Sequence, residues 1–307
     1  MKKSYLVFGV ILTVMLFILP GCGHADNFDR KYQEKYVNLF EANKYDELFA
    51  HLQLWESKEP NNPEMFIAYF NYYIHRNKSS GISIDRERWG EGPTMAITDP
   101  QSGEIAGYMN ESTQYDTEDV LTAVEYLDRG LTIAPNRLDM HFGKIHILNE
   151  IGRYKMAGNG LFDTLVISKK INNKWLWADN EELEDGEPVF IYSIQDYYSL
   201  WLNAATEESY EQVKLCAEKQ IEQYPEYIHA YNILGVYYSM NKQLQEALKY
   251  YLQAETIDPN DCIVLINIGR TYAGMNNKQK AQEYFNKVLE IGDEQYKQYA
   301  RNYLNQL

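Results

Sequence analysis

The sequence holds little of what catalysis, metal binding or nucleic-acid binding requires. Cysteine occurs three times in 307 residues, at Cys22, Cys216 and Cys262, and never as C-x-x-C. There are six histidines, none beside a cysteine or serine in a nucleophile motif. His141 and His146 stand five residues apart, a spacing that separates them around a helix and predicts a surface or capping role rather than zinc. G-x-S-x-G, H-E-x-x-H, a P-loop and a dinucleotide fingerprint are all missing. Carboxylate pairs are too common in a chain with 44 acids to signal glycosidase chemistry. An enzyme is therefore the weakest functional class, and no catalytic residue, metal site or cofactor is predicted. Positive charge is scarce as well: the net charge is −15 and no basic stripe occurs. Phosphate binding needs a basic field, so nucleic acid is excluded as a partner, as is a polybasic membrane contact.

What is present is a globular composition, 45% hydrophobic and 24% charged, which excludes disorder for most of the chain. The 27 tyrosines are expected to pack at interfaces with their hydroxyls reaching water. At the start, Lys2 and Lys3 precede an apolar run from Tyr5 to Leu19 and then Pro20-Gly21-Cys22, the layout of a bacterial secretory signal. Leu19-Pro20-Gly21-Cys22 resembles the lipobox of bacterial lipoproteins, with Pro20 as a departure from the small or β-branched residue usual there. The resemblance implies cleavage before Cys22 and lipid on its thiol. It also implies export, with anchorage to the outer face of the cytoplasmic membrane or to the outer membrane. The alternative is an uncleaved signal anchor, for which the run is short. Two or three acyl chains anchor a protein without any further contact.

Between Ile228 and Asp293 one helix-pair pattern is written twice in exact register, so that Gly235 recurs as Gly269 and Ala247 as Ala281. Tyr231-x2-Leu234-Gly235-x2-Tyr238 is followed by Ala247-x3-Tyr251 and Pro259, and Leu265-x2-Ile268-Gly269-x2-Tyr272 by Ala281-x3-Phe285. Gly235 and Ala247 are small where the two helices of a hairpin cross, and Tyr231, Leu234 and Tyr238 share one helix face. In period and signature this pattern resembles the tetratricopeptide repeat (TPR), with Tyr or Leu at its Trp position. The implied fold is all-α: a right-handed TPR-like superhelix of stacked antiparallel helix pairs with a β-hairpin-bearing insert.

Along the chain, residues 1–21 read as the signal peptide and 22–27 as a tether. Degenerate TPR-like helices are expected over 28–76, with an asparagine turn at Asn43 and Pro60 closing a helix. In 77–118 the helical period is lost. Ser79-Ser80-Gly81, Gly90-Glu91-Gly92-Pro93 and Asp99-Pro100-Gln101-Ser102-Gly103 are turn chemistry, and Thr94-Met95-Ala96-Ile97 faces Glu104-Ile105-Ala106-Gly107-Tyr108 as a hairpin. Helices resume over 119–168, where Ala123 and Ala157 stand one repeat period apart. Residues 169–190 carry Trp175 and Trp177 and then six carboxylates in nine residues, Asp179 to Glu187. That run lacks the spacing and central glycine of an EF-hand, so a solvated acidic loop is expected rather than a calcium site. Residues 191–293 are TPR repeats and 294–307 a capping helix. Trp201 takes the place of Gly235 and Gly269 in register, which predicts a wider separation of its two helices. The register puts Cys216 and Cys262 two hairpins apart, so two buried small residues are expected rather than a disulfide.

In TPR proteins the stacked first helices line a groove that takes an extended peptide or a helix, and the resemblance implies the same use here. The groove side would carry Asn232, Val236 and Ser239, then Ile266, Arg270 and Ala273, and on the preceding helix Tyr198 and Leu202. Arg270 stands out as a cation in an acidic chain, able to hold a carboxylate through two parallel hydrogen bonds. Two classes of function follow. One is a lipid-anchored scaffold or adaptor that recruits another envelope protein. The other is a glycan-capturing surface lipoprotein using Trp89, Trp175 and Trp177 as stacking platforms, against which Trp89 reads better as a lid packing the insert onto the helices.

Overall fold

The computed structural model describes residues 30–85, 94–99, 102 and 104–307. The signal, Cys22, the tether and Trp89 lie outside the described residues. The chain is all-α in its framework, built from TPR-like helix pairs, and divides into two compact units. The described parts of these are 30–151 with 176–181, and 152–175 with 182–307. The division falls at Gly152, inside the pair expected from Ile145 to Leu161. Gly152 has φ +68°, a left-handed conformation that L side chains rarely adopt.

The first unit contains α1 (Arg30–Glu41), α2 (Tyr45–Lys58), α3 (Pro63–Arg76), α4 (Thr117–Ile133) and α5 (Leu138–Glu150). Asn43, at φ 53°, makes the turn between α1 and α2. The Asn62 side chain caps α3 by accepting from the Glu64 amide at 2.9 Å, with Pro63 pre-set for the first helical position. Trp55, Phe66, Tyr69, Leu48 and Leu52 form the buried centre. Tyr69 and Tyr126 stack at 4.1 Å between α3 and α4, which pair closely although the insert separates them along the chain.

That insert is a three-stranded antiparallel sheet of β1 (Ser79–Asp85), β2 (Thr94–Thr98) and β3 (Ile105–Gln114) in the order β1-β3-β2. The expected hairpin is the β2–β3 pair, with Met95 opposite Met109 and Ile97 opposite Gly107. Ser79-Ser80-Gly81, read as turn chemistry, instead opens a third strand, Ser79 pairing with Gln114. A Cβ on Gly81 would stand 2.8 Å from Gln114 Nε2, the end of a flexible side chain that can move aside. At the base of the insert Arg76 clamps Asp119, its Nε donating to Oδ2 at 2.8 Å and its Nη2 to Oδ1, while Asn77 Nδ2 donates to Oδ2 at 2.6 Å. The end of α3 is thereby tied to the start of α4.

Arg137 is fully buried in the same unit. Its Nη1 donates to Glu64 at 2.6 Å, and its Nε and Nη2 to Asp139 at 2.9 and 2.8 Å. Nη1 also lies 3.3 Å from Asn180 Oδ1, and the Asp179 amide donates to Glu64 at 3.0 Å. Leu176 donates to the Asn136 carbonyl and accepts from the Leu138 amide. The segment 176–181 is therefore docked onto α3 and α5, a correction to the expected solvated loop. His141 is also buried, with Nε2 2.9 Å from the Pro135 carbonyl, and burial holds its pKa down at about 4. The surface role expected for it is corrected to a buried brace of the 134–137 turn.

The second unit contains α6 (Tyr154–Lys170), α7 (Gly186–Ser193), α8 (Gln195–Ala204), α9 (Glu207–Gln223), α10 (Ile228–Met240), α11 (Leu244–Ile257), α12 (Cys262–Gly274), α13 (Lys278–Ile291) and α14 (Glu294–Leu304). The pairs α10–α11 and α12–α13 are the two clear repeats. Lys242 and Asn276, at equivalent places in the two, both take the left-handed turn conformation at φ 60° and 59°. Trp201 is fully buried on α8, which lies less closely on α9 than α10 lies on α11. Instead α9 packs tightly on α6, where the Cys216 thiol reaches the Gly158 carbonyl at 3.3 Å. Cys216 is buried and Cys262 half-buried, both as free thiols. Glu187 accepts from Asn173 Nδ2 at 2.6 Å and from the Tyr227 hydroxyl at 3.1 Å, so this member of the acidic run is structural too.

Candidate functional site

The faces of α10, α12 and α14 that adjoin one another carry the candidate site, all within the second unit. Their charge pattern is unusual for this chain. Helix α10, IHAYNILGVYYSM, has no Asp, Glu, Lys or Arg, and α12, CIVLINIGRTYAG, has Arg270 alone. The acids and lysines sit on the second helices, as in α9, EESYEQVKLCAEKQIEQ, and α13, KQKAQEYFNKVLEI.

Where α10 meets α12, Asn267 Nδ2 donates to Asn232 Oδ1 at 2.9 Å. That bond leaves the Asn232 amide nitrogen as a donor and the Asn267 amide oxygen as an acceptor, the pair a peptide backbone group complements. Beside it an open cleft of about 100 Å³ is lined by Ile228, His229, Ile233, Asp261, Ile263 and Val264 among others. Burial lowers the His229 pKa, with the nearby Asp261 charge acting in the opposite direction.

Further along, Arg270 is exposed and its guanidinium lies 5.3 Å from the centre of the Tyr303 ring on α14. Among the described residues no carboxylate pairs with it. A cleft of about 240 Å³ opens beside it, lined by Arg270, Ala273, Phe285, Tyr303, Gln306 and Leu307. Burial pushes the Tyr251 hydroxyl up to about 12, against the Ser239 hydroxyl 3.5 Å away and the Arg270 charge. The arrangement provides a largely aliphatic and aromatic floor, one amide pair, the Asp261 carboxylate at one end and the Arg270 cation, which can take a carboxylate, at the other.

Of the residues predicted for the groove, Asn232, Val236 and Ser239 are half-buried on α10, and Arg270 and Ala273 line the larger cleft. Ile266 is corrected: it is 8% exposed and belongs to the core, because α12 has helices on more than one side and more of its circumference is covered. Tyr198 and Leu202 are corrected as well. Both are buried on α8, and the Tyr198 hydroxyl donates to Gln220 Oε1 on α9 at 3.0 Å, facing the hairpin rather than a groove. Trp175 is 1% exposed, packed on Phe190 with ring centres 5.4 Å apart, so it offers no face to a glycan. Trp177 is half-exposed. Sequence reading missed Asn267 and Tyr303. Asn267 lies one position past Ile266, the repeat partner of Asn232, and Tyr303 lies in 294–307, where the sequence pattern predicts only a capping helix.

Among the described residues no cluster of three or more His, Cys, Asp or Glu side chains is placed to hold a metal ion. Likewise, no helix among them is long and apolar enough to cross a membrane.

Comparison with known proteins finds a family model described as regulator of microtubule dynamics protein 1-3 matching residues 236–307. A stretch of 55 residues is 36% identical to the human protein O-mannosyl-transferase TMTC3 and covers 18% of this chain and 6% of that protein. Among solved structures, the C-terminal part of a TPR repeat-containing protein from Cytophaga hutchinsonii is 14% identical. That match covers 88% of this chain and 85% of the other at a TM-score of 0.43. YrrB, described as a TPR protein with an unusual peptide-binding site, is 19% identical over 60% of this chain and 84% of its own, at a TM-score of 0.37. None of these likenesses carries an activity or a partner across to this chain.

Proposed function

We propose that this chain is a protein-interaction scaffold or adaptor of the bacterial cell envelope, exported and held to a membrane by lipid on Cys22. Its α10–α12–α14 face takes an extended segment of another envelope protein. The observation that carries this reading is the concentration of binding chemistry on a face with almost no charge. The Asn232–Asn267 amides supply a peptide-sized donor and acceptor, and Arg270, with no acid partner among the described residues, supplies the one charge on the α10 and α12 helices themselves. The occupant that fits is a segment with aliphatic side chains and a carboxylate that reaches Arg270. The lipobox-like Leu19-Pro20-Gly21-Cys22 supports the anchor.

Affinity capture from detergent-solubilised membranes tests the groove, comparing wild type with Arg270→Glu. A specific partner held by the wild type and lost from the variant is the expected result; an unchanged partner set overturns the reading. Cys22→Ala tests the anchor, with the chain expected to leave the membrane fraction.

A further inference from the structure

The open edge of the inserted sheet is self-complementary. In the order β1-β3-β2 the outer edge of β2 pairs with no strand among the described residues. Natural edges of this kind are normally blunted by lysine, proline or inward charge, because unpaired backbone groups recruit another strand. Strand β2 has none of these: it reads Thr94-Met95-Ala96-Ile97-Thr98, with no charge and no proline, and the register irregularity against β3 falls at its end, between Ile97 and Thr98, away from Ala96. The sequence is also nearly palindromic about its centre. An antiparallel copy registered on Ala96 sets Ala96 against Ala96, Met95 against Ile97 and Thr94 against Thr98. Met95 is 67% exposed, and Met95, Ile97 and the paired Met109 share one face of the sheet by register. Two copies would lay these aliphatic side chains side by side, the kind of cross-strand pair that stabilises a sheet.

We propose that β2 of one copy pairs antiparallel with β2 of a second copy about Ala96, joining two three-stranded sheets into one of six strands. Charge permits contact at this edge. Two chains of net charge −15 repel, but β2 is neutral. The flanking Asp99 and its mate fall at opposite ends of the paired strands, about 20 Å apart, beyond the reach of a screened charge. An isologous contact needs this self-matching. A five-residue edge covers far less than the roughly 800 Å² per partner of a standard interface, so the dimer is weak and exchanges quickly.

Disulfide trapping of the full chain reads both the contact and its register. Residues directly opposite have Cα atoms about 4.5–5.5 Å apart, within disulfide reach. Met95 and its own mate are offset by two residues and lie about 8 Å apart, too far to bridge. Under mild oxidation Ala96→Cys is expected to form a disulfide dimer at least about tenfold faster than Met95→Cys. A mixture of the Met95→Cys and Ile97→Cys chains is expected to cross-link where neither does alone. Wild type, keeping Cys22, Cys216 and Cys262, sets the background. An Ala96→Cys chain that dimerises no faster than Met95→Cys overturns the proposal, as does one that bridges to a different protein. Should Ala96→Cys fail to fold, the mixed pair decides, and its silence counts against the contact.

Discussion

The ring of Tyr251 occupies the space that a side chain on Gly235 would need: a Cβ added to Gly235 would stand 2.2 Å from Tyr251 Cε1. The same relationship recurs one repeat later, where a Cβ on Gly269 would lie 2.6 Å from Phe285 Cε1. Gly235→Ala and Gly269→Ala are therefore expected to destabilise the second unit. Overpacking of this kind costs about 1–3 kcal/mol, partly offset by the better helix propensity of alanine. Urea unfolding followed by far-UV circular dichroism reads the loss; a midpoint unchanged in both variants contradicts the packing described.

Stability should fall on mild acidification. His141 is buried against the Pro135 carbonyl with its pKa held at about 4, whereas an unfolded histidine titrates near 6.5. Between those values the unfolded chain binds a proton that the folded one refuses. Stability is thus full above about pH 6.5 and is lost as the pH falls towards 4, by about 2 kcal/mol at pH 5. Burial also lowers His75 to about 4, which acts in the same direction. Comparing unfolding midpoints at pH 7 and pH 5 tests this, and His141→Gln, which keeps a donor for Pro135, is expected to flatten part of the fall.

Removing the buried Arg137 guanidinium leaves Glu64 and Asp139 without their shared cation. Breaking one partner of a buried ion pair costs about 3–5 kcal/mol, because the remaining charge stays desolvated. Arg137→Met should therefore unfold the first unit at lower urea. It should also release segment 176–181, seen as faster hydrogen exchange at the Leu176 and Leu138 amides that now bond to it and through it.

The two tryptophans of the 169–190 region should behave differently. Trp175→Ala empties a buried site beside Phe190, a loss of about 3–5 kcal/mol for a large aromatic. Trp177→Ala removes a half-exposed ring and should cost less than about 1 kcal/mol. Thermal unfolding of the two variants separates them; equal shifts would contradict the burial difference.

For the groove, Asn232→Ala is expected to weaken capture of the partner while leaving the unfolding midpoint within about 1 kcal/mol of wild type, because its amide is half-buried and bonds only to another groove residue. A partner retained at full strength would count against the amide pair as a peptide contact.

The sequence by itself determined the repeat. Gly235, Ala247, Tyr251 and their mates Gly269, Ala281 and Phe285 describe contacts inside one helical hairpin, and such contacts depend on spacing along a single short stretch. The β2–β3 hairpin was legible for the same reason, since alternation and turn residues are local signals. Tertiary structure alone decided which faces are covered. Tyr198, Leu202 and Ile266 sit at register positions that suit a groove, yet neighbouring helices bury them. Trp175 and Asp179 read as an exposed insert, yet Phe190 closes over one and Gln33 and Glu64 hold the other. The Asn232–Asn267 bond lies one residue off the period, at a distance set by how two helices meet rather than by their sequences. Coverage and crossing depend on partners far along the chain, and no local pattern encodes them.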